Sequence, residues 1–196
     1  DRRVRCLVQR TEVQRSEVQR SEVQRSEVQR SEVQRTEVQR GQATGALIRL
    51  GAAVALVPGD LTDPGSLKAF LRDAGGATLF HCAGVIHPTR GIRQLYEVNV
   101  EGTRRLVAMA RDAGVRRLIY VSSNSPLGAN PEPAHRFDEA SPYHPYMHYG
   151  RSKKLAEDLV NEAGQAGGLE TVIIRPPWFY GPGQPERQGL FFTMIR

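Results

Sequence analysis

The chain has 196 residues, 39% hydrophobic and 24% charged, with 27 Lys and Arg against 21 Asp and Glu. No apolar run is long enough to span a bilayer, and nothing resembles a signal peptide, so the composition is that of a soluble cytoplasmic protein with no membrane partner. The net charge of +6 splits evenly, ten Arg against seven acids in residues 1–42 and seventeen bases against fourteen acids in residues 43–196, and the bases form no long block, which argues against a nucleic-acid partner.

In chain order, the first organised feature is a repeat. Val-Gln-Arg-(Ser/Thr)-Glu runs from Val8 to Glu37 in six copies, and a partial seventh begins at Val38. On an α-helix a step of five residues turns about 140° beyond a full circle, so the valines spiral round with no fixed face. On a strand the odd period sends successive valines to opposite faces. Neither geometry gives a stripe that could build a core, and residues 9–42 read as a solvated helix or a disordered insertion.

From Leu47 onward the pattern changes. Ala53-Val-Ala-Leu-Val57 is a short apolar run closed by Pro58-Gly59-Asp60, a buried strand and its turn. Asp63-Pro64 then opens a helix, Asp as the cap and Pro in the first turn, with Leu67, Phe70 and Leu71 at helical spacing. Ala77–Cys82 is a strand ending at Ala83-Gly84. Residues 92–113 form a long helix with Leu95, Val98, Leu106, Val107 and Ala110 on one side and Gly114 as its stop. Arg117–Val121 is a strand followed by Ser122-Ser123, Tyr149–Ala163 a helix, and Glu170–Ile174 a strand. Alternating apolar strands and amphipathic helices predict βαβ units and a parallel sheet. Ligands of such sheets bind outside the carboxyl ends of the strands, where Asp60, Gly84, Ser123 and Pro176 fall.

Tyr149 and Lys153 lie four apart, on one face of the predicted helix. A phenol is almost fully protonated at neutral pH, and an ammonium beside it favours the phenolate. A serine hydroxyl at the end of the preceding strand, Ser123, could hold a substrate oxygen in line for proton transfer. Other readings are blander. Asp60 could simply serve its turn, and His81, at a strand end, is a packed or solvent-facing histidine. Tyr143, His144, Tyr146 and His148 read as loop and substrate-wall residues, and Trp178-Phe179-Tyr180 as core and cleft wall. No His/Cys/Asp/Glu cluster has metal-ligand spacing, and Cys6 and Cys82 read as lone thiols.

Together, Gly59-Asp-Leu61, His81-Cys-Ala-Gly84, Tyr96-Glu-Val-Asn99-Val-Glu-Gly-Thr103, Val121-Ser-Ser123, Tyr149-x-x-x-Lys153 and Arg175-Pro-Pro-Trp-Phe-Tyr-Gly-Pro-Gly183 resemble the extended short-chain dehydrogenase/reductase family. That family includes NAD-dependent epimerases/dehydratases and 3β-hydroxysteroid dehydrogenases. The resemblance, over roughly residues 43–196, implies an α/β, Rossmann-like, doubly wound parallel sheet. It implies Tyr149 as catalytic acid/base, Lys153 as the residue that lowers its pKa and holds the nicotinamide ribose, Ser123 as the catalytic serine and Asn99 as part of a proton relay. It places Asp60 and Leu61 at the adenine, Ala83 and Gly84 along the cofactor, and Pro176 beside the nicotinamide.

The front of the chain departs from that family. Asp1–Val8 resembles the family's second strand, yet no Gly-x-x-Gly-x-x-Gly turn precedes it, the turn whose backbone N–H groups hold the pyrophosphate. Gly41-Gln-Ala-Thr-Gly45 follows a charged repeat rather than an apolar strand and reads as a helix start. The expectation is therefore a remnant of the second strand at 1–8, the insertion at 9–42 and a Rossmann-like domain at 43–196, truncated at both ends with its substrate lobe mostly missing. At the end of the second strand an acid would take the ribose 2′-OH of NAD and an arginine would suit the 2′-phosphate of NADP. Arg10 there leans to NADP over NAD. Three functions stay open: an NAD(P)-dependent oxidoreductase on a CH–OH/carbonyl group of a small molecule, a sugar-nucleotide epimerase or dehydratase, and a non-catalytic remnant. A homodimer is also left open.

Overall fold

The computed structural model describes residues 4–9 and 54–177. Arg10 and the rest of the repeat, the Gly41–Gly45 segment and the Trp178-Phe179-Tyr180 cluster lie outside the described residues. The chain forms two compact units, one of Asp1–Gly59 with Phe179–Arg196, the other of Asp60–Trp178. In the first, β1 (Val4–Gln9) pairs in parallel with β2 (Val54–Gly59), Val4 opposite Val54 and Gln9 opposite Gly59.

The second unit holds a three-stranded parallel sheet in the order β3 (Thr78–His81), β4 (Arg117–Val121), β5 (Glu170–Ile174). Before it lies α1 (Pro64–Phe70), whose cap Asp63 accepts a 2.9 Å hydrogen bond from Gly65 N. Its Leu67 and the adjoining Leu71 are buried.

The predicted long helix is present, but it is not one plain α-helix. Its parts are α2 (Arg93–Leu95), a π-helical segment Tyr96–Gly102, and α3 (Thr103–Asp112). Leu95, Val98, Leu106, Val107 and Ala110, assigned to one face from their spacing, are all buried. Gly114 stops the helix at φ +69°, a conformation glycine adopts without a Cβ clash. The widened turn goes with two close contacts that spacing alone does not show. Asn99 is held on the β3 side, and Gly102 lies so near Leu61 that a Cβ there would sit 2.9 Å from the leucine Cβ.

The long helix α4 (Met147–Gln165) buries Ser152, Lys153, Ala156, Glu157, Val160 and Ala163. In β3 and β4 the alternation puts Leu79, His81, Leu118 and Tyr120 into the core. The opposite face carries the row Phe80, Ile119, Val172, aligned by the strand register, with Ile174 beyond it. Phe80 is 64% exposed, Val172 43% and Ile174 45%. No helix among the described residues is long and apolar enough to cross a membrane.

Candidate active site

The carboxyl end of β4 is where the candidate residues gather. Beyond Val121 the ladder to β5 continues, Ser122 N donating to Ile174 O at 2.7 Å and Asn124 N to Pro176 O at 3.3 Å. Two serines side by side on an extended chain point to opposite sides. Ser122 is buried against Glu157 of α4, and its hydroxyl donates to Glu157 Oε1. Ser123 is half-buried. Its Oγ accepts from Ser125 N at 3.2 Å, and its hydroxyl stabilises the Tyr149 phenolate form.

Two glycines let α4 approach this serine loop. A Cβ on Gly150 would lie 2.7 Å from Ser125 O, and Tyr146 N at the helix start donates to the same carbonyl at 3.1 Å. Gly128 turns the loop at φ +85°, where a Cβ would strike the His144 carbonyl. Tyr149 is thereby held beside Ser123. Burial pushes its phenol above the ordinary tyrosine range, and the Ser123 hydroxyl offsets part of that shift.

Lys153 sits one turn further on, 4% exposed, with Nζ donating to Val121 O at 2.8 Å and lying 4.2 Å from the centre of the Tyr120 ring. Burial brings its pKa down to about 8, opposed by the nearby Glu157 carboxylate. This corrects one expectation. The ammonium is directed at a strand carbonyl and an aromatic face, and the Tyr149 phenol is raised rather than lowered.

Asn99 is buried in the π-helical segment with its side chain fully engaged. Oδ1 accepts from Val85 N at 2.7 Å, and Nδ2 donates to Val85 O at 2.8 Å and to Ser152 Oγ at 3.0 Å. Ser152 Oγ in turn donates to Tyr149 O at 2.8 Å. Asn99 therefore reaches Tyr149 through Ser152 and the backbone, not by its own amide. Beside it, His81 is 2% exposed and meets Thr103 Oγ1 at 2.8 Å. The single threonine hydroxyl proton goes to Asn99 O at 2.7 Å, so His81 Nε2 carries the hydrogen of that pair. Burial first, and the Lys153 charge second, lower the His81 pKa to about 3.

The remaining expected contacts are spread along the same strand ends. Asp60 Oδ1 accepts from Thr62 N and Thr62 Oγ1, both at 2.7 Å, so its carboxylate serves its own turn. The Leu61 side chain is 5% exposed and packs on Gly102. Ala83 and Gly84 are exposed after β3, and a Cβ on Gly84 would come within 3.2 Å of Asn99 Oδ1. Pro176 is half-buried after β5.

Sequence reasoning missed the group behind this edge. Glu157, 0% exposed, accepts from Tyr143 Oη at 2.8 Å and from Arg175 through Nε at 3.0 Å and a terminal nitrogen at 2.8 Å. Tyr143 is pushed up to about 12, by burial and then by this carboxylate. The available signal was a glutamate one turn after Lys153 on the same apolar helix face, with an arginine at the end of the next strand.

A dinucleotide's nicotinamide half suits this donor set, since a phenol, an ammonium and a serine hydroxyl converge at one strand end. The sequence has no Gly-x-x-Gly-x-x-Gly to cradle a diphosphate. Known proteins agree with the fold. An uncharacterized protein, y4nL, of Sinorhizobium fredii is 50% identical over 142 residues, covering 72% of this chain and 40% of that protein. Human 3 beta-hydroxysteroid dehydrogenase type 7 is 35% identical over 156 residues, 70% of this chain and 41% of its own length. A double mutant of DesIV, the dTDP-glucose 4,6-dehydratase of Streptomyces venezuelae solved with NAD and DAU bound, superposes with a TM-score of 0.67 at 31% identity. That alignment covers 79% of this chain and 48% of DesIV, so the chain spans less than half the length of the relatives it matches. The profile of the NAD dependent epimerase/dehydratase family matches residues 16–196, and the chain belongs to that family, with its Rossmann-like fold.

Proposed function

We propose that this chain carries the proton-transfer machinery of an NAD(P)-dependent oxidoreductase acting on a CH–OH/carbonyl group of a small molecule. The observation that carries the reading is the placement of Tyr149 beside Ser123 with Lys153 buried one turn below, all at the carboxyl end of β4. A bound dinucleotide supplies or accepts the hydride. Tyr149, whose burial keeps it protonated at neutral pH, gives its proton to a substrate carbonyl oxygen, and Ser123 hydrogen-bonds that oxygen. In the reverse direction Tyr149 takes the hydroxyl proton. Lys153, with an ammonium of three donors, spends one on Val121 O and offers the others to the ribose hydroxyls. Pro176 borders the ring, Asp60 and the Leu61 backbone meet the adenine, and Ala83-Gly84 follow the cofactor between them. Arg10, directly after β1, supports NADP over NAD.

The test is Tyr149→Phe in the intact protein with dinucleotide bound. Turnover falls by about 100-fold or more while dinucleotide affinity holds; unchanged turnover would sink the reading. The likeness to a dTDP-glucose 4,6-dehydratase favours a second reading, an epimerase or dehydratase that returns its cofactor unchanged. Net consumption of NADPH with a carbonyl substrate decides for the oxidoreductase. The absent glycine-rich motif supports a third, a remnant that binds no dinucleotide. Micromolar binding of NADP or NAD to the 196-residue chain by calorimetry contradicts it.

A further inference from the structure

We infer that Glu157 is a positioning residue for this site: one buried carboxylate ties the ends of β4 and β5 to α4 and holds the Lys153 ammonium in its charged form.

The geometry is specific. Each group that Glu157 binds adjoins a residue of the site. Ser122 precedes Ser123, and Arg175 precedes Pro176. Glu157 itself lies one turn beyond Lys153 on the same buried face of α4, at 0% and 4% exposure. Tyr143, from the loop before α4, closes the remaining side of the carboxylate. An ion pair with Arg175 and donors from two hydroxyls satisfy the charge that burial would otherwise make prohibitive. A replacement by apolar groups of similar volume is often neutral for stability, so packing alone gives little reason for a carboxylate here.

Lys153 gives one. The groups that face it are the Tyr120 ring and Val121 carbonyl of β4, His81 and Cys82 at the end of β3, and Tyr149 and Glu157 on its own helix. His81 is neutral at pH 7, Cys82 is pushed up by burial, and both phenols hold their protons. Among these groups Glu157 alone is anionic, through its pairing with Arg175. Its catalytic consequence rests on the oxidoreductase reading above; the electrostatic one does not.

The chain has three lysines, Lys68, Lys153 and Lys154, so the side chains of 13C-labelled lysine can be followed one by one in NMR titrations of the intact protein. In the wild type Lys153 titrates near the value of about 8 set by its burial. In Glu157→Gln its proton affinity drops at least about tenfold, one pH unit, while Lys68 and Lys154 stay in place. The alkaline limb of kcat shifts down with it, and Glu157→Asp, which keeps the charge, restores most of the shift. An unmoved Lys153 titration in Glu157→Gln overturns the inference. A second arm needs no variant: the wild-type Glu157 carboxyl carbon must remain that of a carboxylate from about pH 6 to 10, and a protonated Glu157 in that range overturns it equally. Full activity in Tyr149→Phe would remove the catalytic reading and leave the Lys153 titration to decide this one.

Discussion

At the scale of single residues, the site is assembled from groups that the fold would be more stable without. Lys153 is buried with its pKa brought from 10.5 to about 8, which at about 1.4 kcal/mol per unit opposes folding by about 3 kcal/mol at neutral pH. Between about pH 8 and 10.5 the unfolded chain binds a proton that the fold has released, so this penalty is relieved as pH rises through that window. Lys153→Met should therefore be more stable than wild type by about 1–3 kcal/mol in denaturant unfolding at pH 7, and the gap should narrow by pH 10. His81 has the opposite effect. Its folded pKa of about 3 lies below the ordinary 6.5, so its stabilising contribution is present above about pH 6.5 and is lost as pH falls toward 3. His81→Gln should flatten that limb of an acid-unfolding curve; an unchanged limb would show that other groups drive acid unfolding.

At the scale of elements, β4 and β5 were legible to the residue, because an apolar run bounded by charged and turn residues leaves little freedom in where a buried strand starts and stops. The apolar face of the helix at 92–113 was legible too, since Leu95, Val98, Leu106, Val107 and Ala110 are buried as their spacing predicts. Its π-helical centre was not. Periodicity reports which side is apolar, whereas the widened turn goes with contacts to Val85 and Leu61, which are distant in sequence. Tyr149, Lys153 and Ser123 stood out by spacing, but which way Lys153 points depends on the Val121 carbonyl, a main-chain group that no motif records. Glu157 escaped for a related reason, being a partner of residues on three other segments. The approach of α4 to the serine loop yields its own prediction. Gly150→Ala places a methyl 2.7 Å from Ser125 O, so helix and loop must part. Turnover should fall about tenfold or more, with a stability loss of about 1–3 kcal/mol by denaturant unfolding. Wild-type kcat in that variant would show that the loop yields without moving Ser123.

At the scale of the whole chain, the three-stranded sheet has one face under helices and one bearing exposed Phe80, Val172 and Ile174. Parallel sheets are ordinarily covered on both faces. An uncovered apolar row of this kind marks either a surface that another part of a protein occupies or a liability to associate. The 196-residue chain should bind a dye such as ANS at neutral pH, and Val172→Lys with Ile174→Lys should lower that signal and raise the concentration at which the chain stays monomeric in light scattering. Dye binding that the two lysines leave unchanged would place the sticky surface elsewhere.

The π-helical turn at Tyr96–Gly102 also limits how this family member can change its length. Removing one residue there would restore a regular α-helix and rotate all that follows by about 100°. Thr103, Leu106, Val107 and Ala110 would swing out of the core together, and His81 would lose its threonine. Substitutions along this helix can be absorbed one at a time, but a single-codon deletion cannot. Surviving variants of this gene should carry insertions and deletions in the connecting loops and none between Arg93 and Asp112.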